Sequence, residues 1–277
     1  MTLDEPIRLS ESASNVIENL ACRVARKCAG VITPNHVIPY LPVSLGIVKA
    51  CLDDMVDGTS VVSETRDNVV EYEFAAYRDV PAEGGVLVAD ACVACDKDQP
   101  APGGELLCPS CSKCLRDELN TLAEKAGWPA QAVYEHEILY HAAQVRGPSH
   151  AESLAGASPY TLRNMRRKLD RLTLGHFARQ ELDANAGVMK YHFPAIEYPQ
   201  SLYRKNMAII RSYPASVMEE VQIKVTRILV SLGLMFLAML VLAFWGIPFP
   251  MLMLLFVVAA PVTSLLVWRH RSRPADD

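Results

Sequence analysis

Five of the chain's eight cysteines lie between Cys92 and Cys114. Four of them form two CxxC pairs, Cys92-Val-Ala-Cys95 and Cys108-Pro-Ser-Cys111, with twelve residues between. Each pair presents two thiolates one tight turn apart, and two such turns can close a tetrahedral four-sulfur site. In a reducing compartment this clustering points to a metal rather than to disulfides. The expected occupant is Zn2+ on Cys92, Cys95, Cys108 and Cys111; a redox dithiol pair and an iron–sulfur centre are the competing readings. Cys114 forms an overlapping CxxC with Cys111, so the fourth ligand could be shared. Four thiolates leave no open coordination position, which makes the expected zinc structural rather than catalytic. Cys22, Cys28 and Cys51 fall on apolar helical faces and read as core packing.

A second chemistry sits in Ser158 to Arg171, where five basic residues face a single acid, Asp170. With Leu162, Met165 and Leu169 turned inward, Tyr160, Arg163, Asn164 and Arg167 share the outer face. Arg pairs with guanine and Asn with adenine, while Tyr, Lys and Arg hold phosphates. Arg166 adds another cation, and Arg179 and Lys190 extend the footprint. The same face would suit anionic lipid headgroups, or simply solvent. Enzyme chemistry finds no such constellation. His136-Glu-Ile-Leu-Tyr-His141 has its histidines at i and i+5, about 140° apart on a helix, so they cannot share a metal. No glycine-rich phosphate loop or nucleophile elbow is present, and no enzyme is argued. The net charge of −4 provides no global field toward nucleic acid.

These residues must be held by elements, and the elements repeat. Asn15–Ala29 has helical spacing, Thr33-Pro34 reads as a cap and first helical residue, and Ser44–Val56 is a third helix. Strands Ser60–Ser63 and Val69–Phe74 follow around the turn Thr65–Asn68. After the cysteines the order returns: a helix over Ala130–Val145, Pro148-Ser-His150 against Pro34-Asn-His36, Leu169–Gly175 against Leu52–Gly58, and Lys190-Tyr-His-Phe193 against Glu71-Tyr-Glu-Phe74. His36 and His150 are thereby placed at equivalent helix starts. Both segments resemble winged helix-turn-helix domains, and the cysteine segment resembles a zinc ribbon. A winged helix followed by a zinc ribbon is similar in domain order to general transcription factors of the TFE type. The resemblance implies that the third helix enters the major groove. In the first copy that helix carries Asp53, Asp54 and Asp57 against Lys49, which phosphates would repel, so this copy reads as a protein-interaction or packing module.

Ile228 to Trp268 is an apolar tract without a charged side chain, interrupted by the hinge Gly246-Ile-Pro248. Each half is close to the ~20 residues needed to cross a bilayer. Lys224 and Arg227 precede it and Arg269, Arg271 and Arg273 follow it, so both ends are expected on the cytoplasmic side. The expected class is α+β: two winged helices around a four-Cys zinc ribbon, plus a two-helix transmembrane hairpin. The divisions are a disordered terminus over 1–14, winged helix 1 over 15–78, the ribbon over 79–115, and a helical linker with winged helix 2 over 116–196. A juxtamembrane segment over 197–227, the hairpin over 228–268 and a cytoplasmic tail over 269–277 complete the chain. The expected function is a DNA-binding transcriptional regulator integral to the inner membrane, its head cytoplasmic. A membrane-bound scaffold, meeting proteins through winged helix 1 and the ribbon, is the alternative; a third is a sensor–effector whose hairpins oligomerise.

Overall fold

One order of elements, helix–strand–helix–helix–strand–strand, occurs twice along the chain. The computed structural model describes residues 9–83, 85–87, 91–96, 106–126, 128–145, 147–184, 187–194 and 196–213. The first pass comprises α1 (Glu11–Lys27), β1 (Val31–Ile32), α2 (Pro34–Val37), α3 (Leu45–Asp54), β2 (Val61–Arg66) and β3 (Val69–Phe74). A long helix, α4 (Pro109–Ala126), intervenes. The second pass comprises α5 (Trp128–Val145), β4 (Ser149–His150), α6 (Ala151–Ala157), α7 (Leu162–Leu174), β5 (Arg179–Asp183) and β6 (Val188–His192), and α8 (Gln200–Ser212) follows. Each pass forms an antiparallel three-stranded sheet with its last strand in the middle, β1-β3-β2 and β4-β6-β5. The chain is thus a mixed helix-and-sheet protein of the α+β class.

Local chemistry explains the boundaries. Thr33 caps α2 with Pro34 in its first turn, and the Thr33 N–H donates to His36 Nδ1 at 3.0 Å. Pro39 cannot donate to a helical carbonyl, and the chain there tightens into a 3-10 turn over Ile38–Tyr40. Ser44 Oγ accepts from Ile47 N–H at the start of α3. Strand β2 runs to Arg66, beyond the expected Ser63, because Asp67 and Asn68 alone make the turn, with φ of 49° and 67°. Two consecutive left-handed residues suit the twist of a tight hairpin, and Asp and Asn tolerate that conformation. Gly30 sits at φ +84° with a site for Cβ only 3.0 Å from Phe74 O, so glycine lets β1 approach β3.

The repetition extends to side chains. Tyr72 on β3 donates to Asp53 on α3 at 2.5 Å, and Tyr191 on β6 donates to Asp170 on α7 at 3.3 Å. One expected equivalence is corrected. His36 lies within α2, whereas His150 pairs in β4 and occupies the N-cap position of α6. The Pro-x-His match is out of step because β4 begins right after Pro148, while β1 precedes Pro34.

Burial joins the two passes into one body. One apolar cluster unites α1, α3, β3 and α4 around Ile17, Leu20, Leu52, Tyr72, Leu119 and Trp128. The other gathers α5, α6, α7 and β6, but includes Ile38 and Leu45 from the first pass. Glu135 Oε2 accepts the Leu45 N–H at 2.7 Å, so α5 satisfies an orphan donor at the start of α3. Asn35 Nδ2 donates to Phe177 O at 2.6 Å, and Asn68 Nδ2 to Thr173 O at 2.8 Å. The expected membrane tract over 228–268 lies outside the described residues. Among the described residues, no helix is long and apolar enough to cross a membrane.

Candidate metal centre and basic helix

The two CxxC pairs meet. The sulfurs of Cys92, Cys95, Cys108 and Cys111 all lie within 4.8 Å of one another. Cys95 Sγ and Cys108 Sγ are 3.9 Å apart, close to the ~3.8 Å edge of a tetrahedron with metal–sulfur bonds of about 2.3 Å. Cys92 and Cys108 are buried, and Cys95 and Cys111 form the accessible side. The donor set therefore fits a thiophilic metal ion.

The two turns are built differently. Cys92 to Cys95 is a free turn, closed by the Asp96 N–H on Cys92 O at 3.0 Å and tied by Val93 N–H to Leu106 O at 2.8 Å. Cys108 to Cys111 is the first turn of α4. Ser112 N–H donates to Cys108 O at 2.9 Å, and the Cys111 N–H points at the Cys108 sulfur. Cys108 thus caps the helix with sulfur where other helices use Ser or Asp. The two CxxC turns are therefore unlike each other, Cys92–Cys95 a free turn and Cys108–Cys111 a helix start, rather than the matched knuckles expected of a ribbon. Pro109 explains the difference, being well suited to a first helical turn and lacking the N–H a ladder would need.

Electrostatics asks for a cation. Burial works to raise Cys92, but the N–H groups of Cys108, Ala94 and Cys95 outweigh it and bring its pKa to about 7. Burial, with the sulfurs of Cys108, Cys92 and Cys95 nearby, pushes Cys111 up. The Cys111 N–H favours the Cys108 thiolate, yet burial and the Cys92 and Cys95 sulfurs leave its pKa raised. Four thiols so close cannot all ionise alone; a bound divalent ion reverses that balance.

Helix α1 holds both halves of this site. Asn19 Nδ2 donates to Ala94 O at 3.0 Å, and Arg23 pairs with Asp96. On the other side Cys114 Sγ donates to Ser12 Oγ at 3.4 Å, and Glu118 accepts the Ser10 N–H at 3.1 Å. Leu115, Leu119 and Ala123 bury the inner face of α4 in the first cluster.

The basic helix α7 starts one residue beyond Thr161, whose Oγ1 accepts the Asn164 N–H. Arg163, Arg167 and Arg171 are exposed at i, i+4 and i+8, within about 80° of arc. None of the three is in an ion pair among the described residues, and Asn164 lies beside them, half-buried. The other expected contacts sit differently. Tyr160 precedes the helix and packs half-buried on the second cluster. Lys168 is turned inward, its ammonium 4.0 Å from the Tyr134 ring centre and 4.7 Å from that of Tyr160. Arg166 is paired with Glu152 at 2.6 Å, and Arg179 with Asp67 at 2.7 Å. Leu162, expected inward, is 37% exposed, because the inner stripe is Met165, Leu169 and Leu172.

Sequence reasoning missed the polar triplet inside α5. Glu135, His136 and Glu137 are all buried. His136 Nε2 faces Val43 O at 2.8 Å and Nδ1 meets the Tyr198 hydroxyl. Glu137 pairs with Arg211 of α8 at 2.7 Å. A polar triplet within an otherwise apolar helix was the available signal. Set against known proteins, the chain matches no family model, no curated protein and no solved structure.

Proposed function

We propose that this protein is a membrane-anchored DNA-binding regulator, built from two winged-helix domains around a structural zinc site. The carrying observation is the exposed row Arg163, Arg167 and Arg171, with Asn164 beside it, on the third helix of the second pass. In a winged helix that helix is the one presented to the major groove. The element order and the centre strand of each sheet agree with this reading. Three arginines supply phosphate contacts, and Asn164 supplies the means to read a base edge. The first pass braces the second: its α3 is covered at its N-terminus by Glu135 and its exposed side carries Asp53 and Asp54.

Zinc is the metal that best suits four thiolates in a reducing compartment, and here it pins α4 to α1. The charge-free tract over 228–268 with its basic flanks supplies the anchor and sets a cytoplasmic head. Tethering raises the concentration of the reading helix near membrane-proximal DNA.

The test is duplex binding by the full chain in detergent, followed by fluorescence anisotropy over a salt series. Each phosphate contact contributes a slope of about −0.9 in log K against log salt, so Arg163→Ala with Arg167→Ala should flatten the slope by roughly 1.8. Absence of affinity for any duplex at low salt sinks the reading and leaves a membrane-bound protein scaffold in its place.

A further inference from the structure

The metal cluster leaves one neighbouring thiol unused. Cys114 lies one turn beyond Cys111 on α4, outside the four-sulfur cluster, and makes a weak bond to Ser12 Oγ at 3.4 Å. Cys95, Cys111 and Cys114 are half-buried, whereas Cys92 and Cys108 are buried, and of the two accessible cluster thiols Cys111 has the non-cluster thiol of Cys114 one helical turn away. An oxidant arriving from solvent therefore meets the Cys111 side of the cluster with a second thiol next to it. Residues three apart on a helix have Cα atoms about 5 Å apart, inside the 4.4–6.8 Å that a disulfide spans. The Cβ atoms start at about 5–6 Å and must close to about 4 Å, which a local adjustment in the first turns of α4 can supply.

We propose that Cys111 and Cys114 form a peroxide-driven disulfide that takes Cys111 from the metal, making the site a redox-controlled clasp between α1 and α4. The inference rests on the zinc reading above. The Cys111 thiolate attacks a peroxide oxygen: an S–O bond forms, the O–O bond breaks and hydroxide leaves, giving the sulfenic acid. The Cys114 sulfur then attacks that sulfur. The S–S bond forms, the S–O bond breaks, and the departing hydroxide takes the Cys114 proton as water. Each sulfur gives up one electron, and one peroxide is reduced to hydroxide and water. The metal is left with three thiolates, loses affinity and departs. Reduction of the disulfide restores the fourth ligand, which makes the change reversible. Cys114 is suited to this task because it resolves the sulfenic acid before a second peroxide carries it to the irreversible sulfinic acid.

The zinc-loaded full chain in detergent is treated with hydrogen peroxide. Metal release is followed with a chromogenic chelator, and the cross-link is mapped by peptide mass spectrometry. The expected result is zinc release together with a Cys111–Cys114 disulfide, and rebinding of zinc after a phosphine reductant. Cys114→Ser and Cys114→Ala should still bind one zinc per chain but lose the reductant-reversible release, with sulfinic acid accumulating at Cys111. Release and recovery unchanged in both variants, or a disulfide mapped to another pair, overturns the switch alone. A wild-type chain that carries no zinc before peroxide overturns the metal reading and the switch with it.

Discussion

Glu135 and His136 are adjacent, buried, and titrate in opposite senses. Burial raises Glu135 from 4.5 to about 7, against the Leu45 N–H, the Gln131 amide and the Lys168 ammonium. Burial lowers His136 from 6.5 to about 4, against the Val43 carbonyl. The folded chain keeps a proton on Glu135 that the unfolded chain releases between pH 4.5 and 7, so this group costs stability as pH rises through that window. The unfolded chain takes a proton on His136 below pH 6.5 that the folded chain refuses until about 4, so this group costs stability as pH falls. Between 4.5 and 6.5 the two slopes cancel. Glu135→Gln removes the first and leaves the second. Its stability should drop on acidification by about 1.4 kcal/mol per pH unit across that range, where the wild-type contribution is flat. Urea midpoints measured against pH decide this, and a variant profile parallel to wild type refutes it. Neither residue's role was legible in the sequence. Their partners, Val43, Leu45 and Tyr198, come from distant segments, and no local pattern brings them together.

At the scale of elements, legibility followed the range of the interaction that fixes each one. The starts of α2 and α3 rest on Thr33, Pro34 and Ser44, which act within a turn, and these were readable. The cysteine ligands were readable because type and spacing alone imply the cluster. The helix that carries two of them was not, since the expectation of a ribbon carried the loop reading past Cys108. Outer residues of α7, and Arg179 on β5, were assigned from local pattern, which cannot foresee that Glu152 pairs with Arg166 and Asp67 with Arg179. Cys108 does two things for α4, capping it and joining the four-sulfur cluster. Cys108→Ser keeps a cap oxygen but loses a ligand, and a chelator removes the metal alone. Both should lower the thermal midpoint, with Cys108→Ala lower than Cys108→Ser because a lost cap costs about 1 kcal/mol more. Differential scanning fluorimetry with metal analysis separates the two effects; equal midpoints for Ser and Ala would remove the cap from the account.

The whole described body should unfold as one, because its two passes do not own separate cores. Leu45 belongs to the first pass by sequence and to the second by packing. Leu45→Ala should cost about 2–5 kcal/mol, as buried leucines do. Amide protection in β3 and β6 should fall together, measured by hydrogen exchange. Loss confined to β3 would show two independent domains. The repeat itself was legible from the sequence pattern, but its fusion was not, since neither copy's pattern encodes the face it presents to the other.

For the proposed DNA-binding role, the docked hairpin tip has a geometric consequence. Asp67 and Asn68 are seated on the turn that follows α7, with Asn68 Nδ2 on Thr173 O and Val70 N–H on His176 O. The two passes are therefore held in a fixed relation, unlike beads on a flexible string, and the tip of the earlier hairpin is engaged by the second pass. On the proposed reading the DNA footprint should be a single short, non-palindromic half-site, and any inverted repeat in a target would count molecules rather than domains.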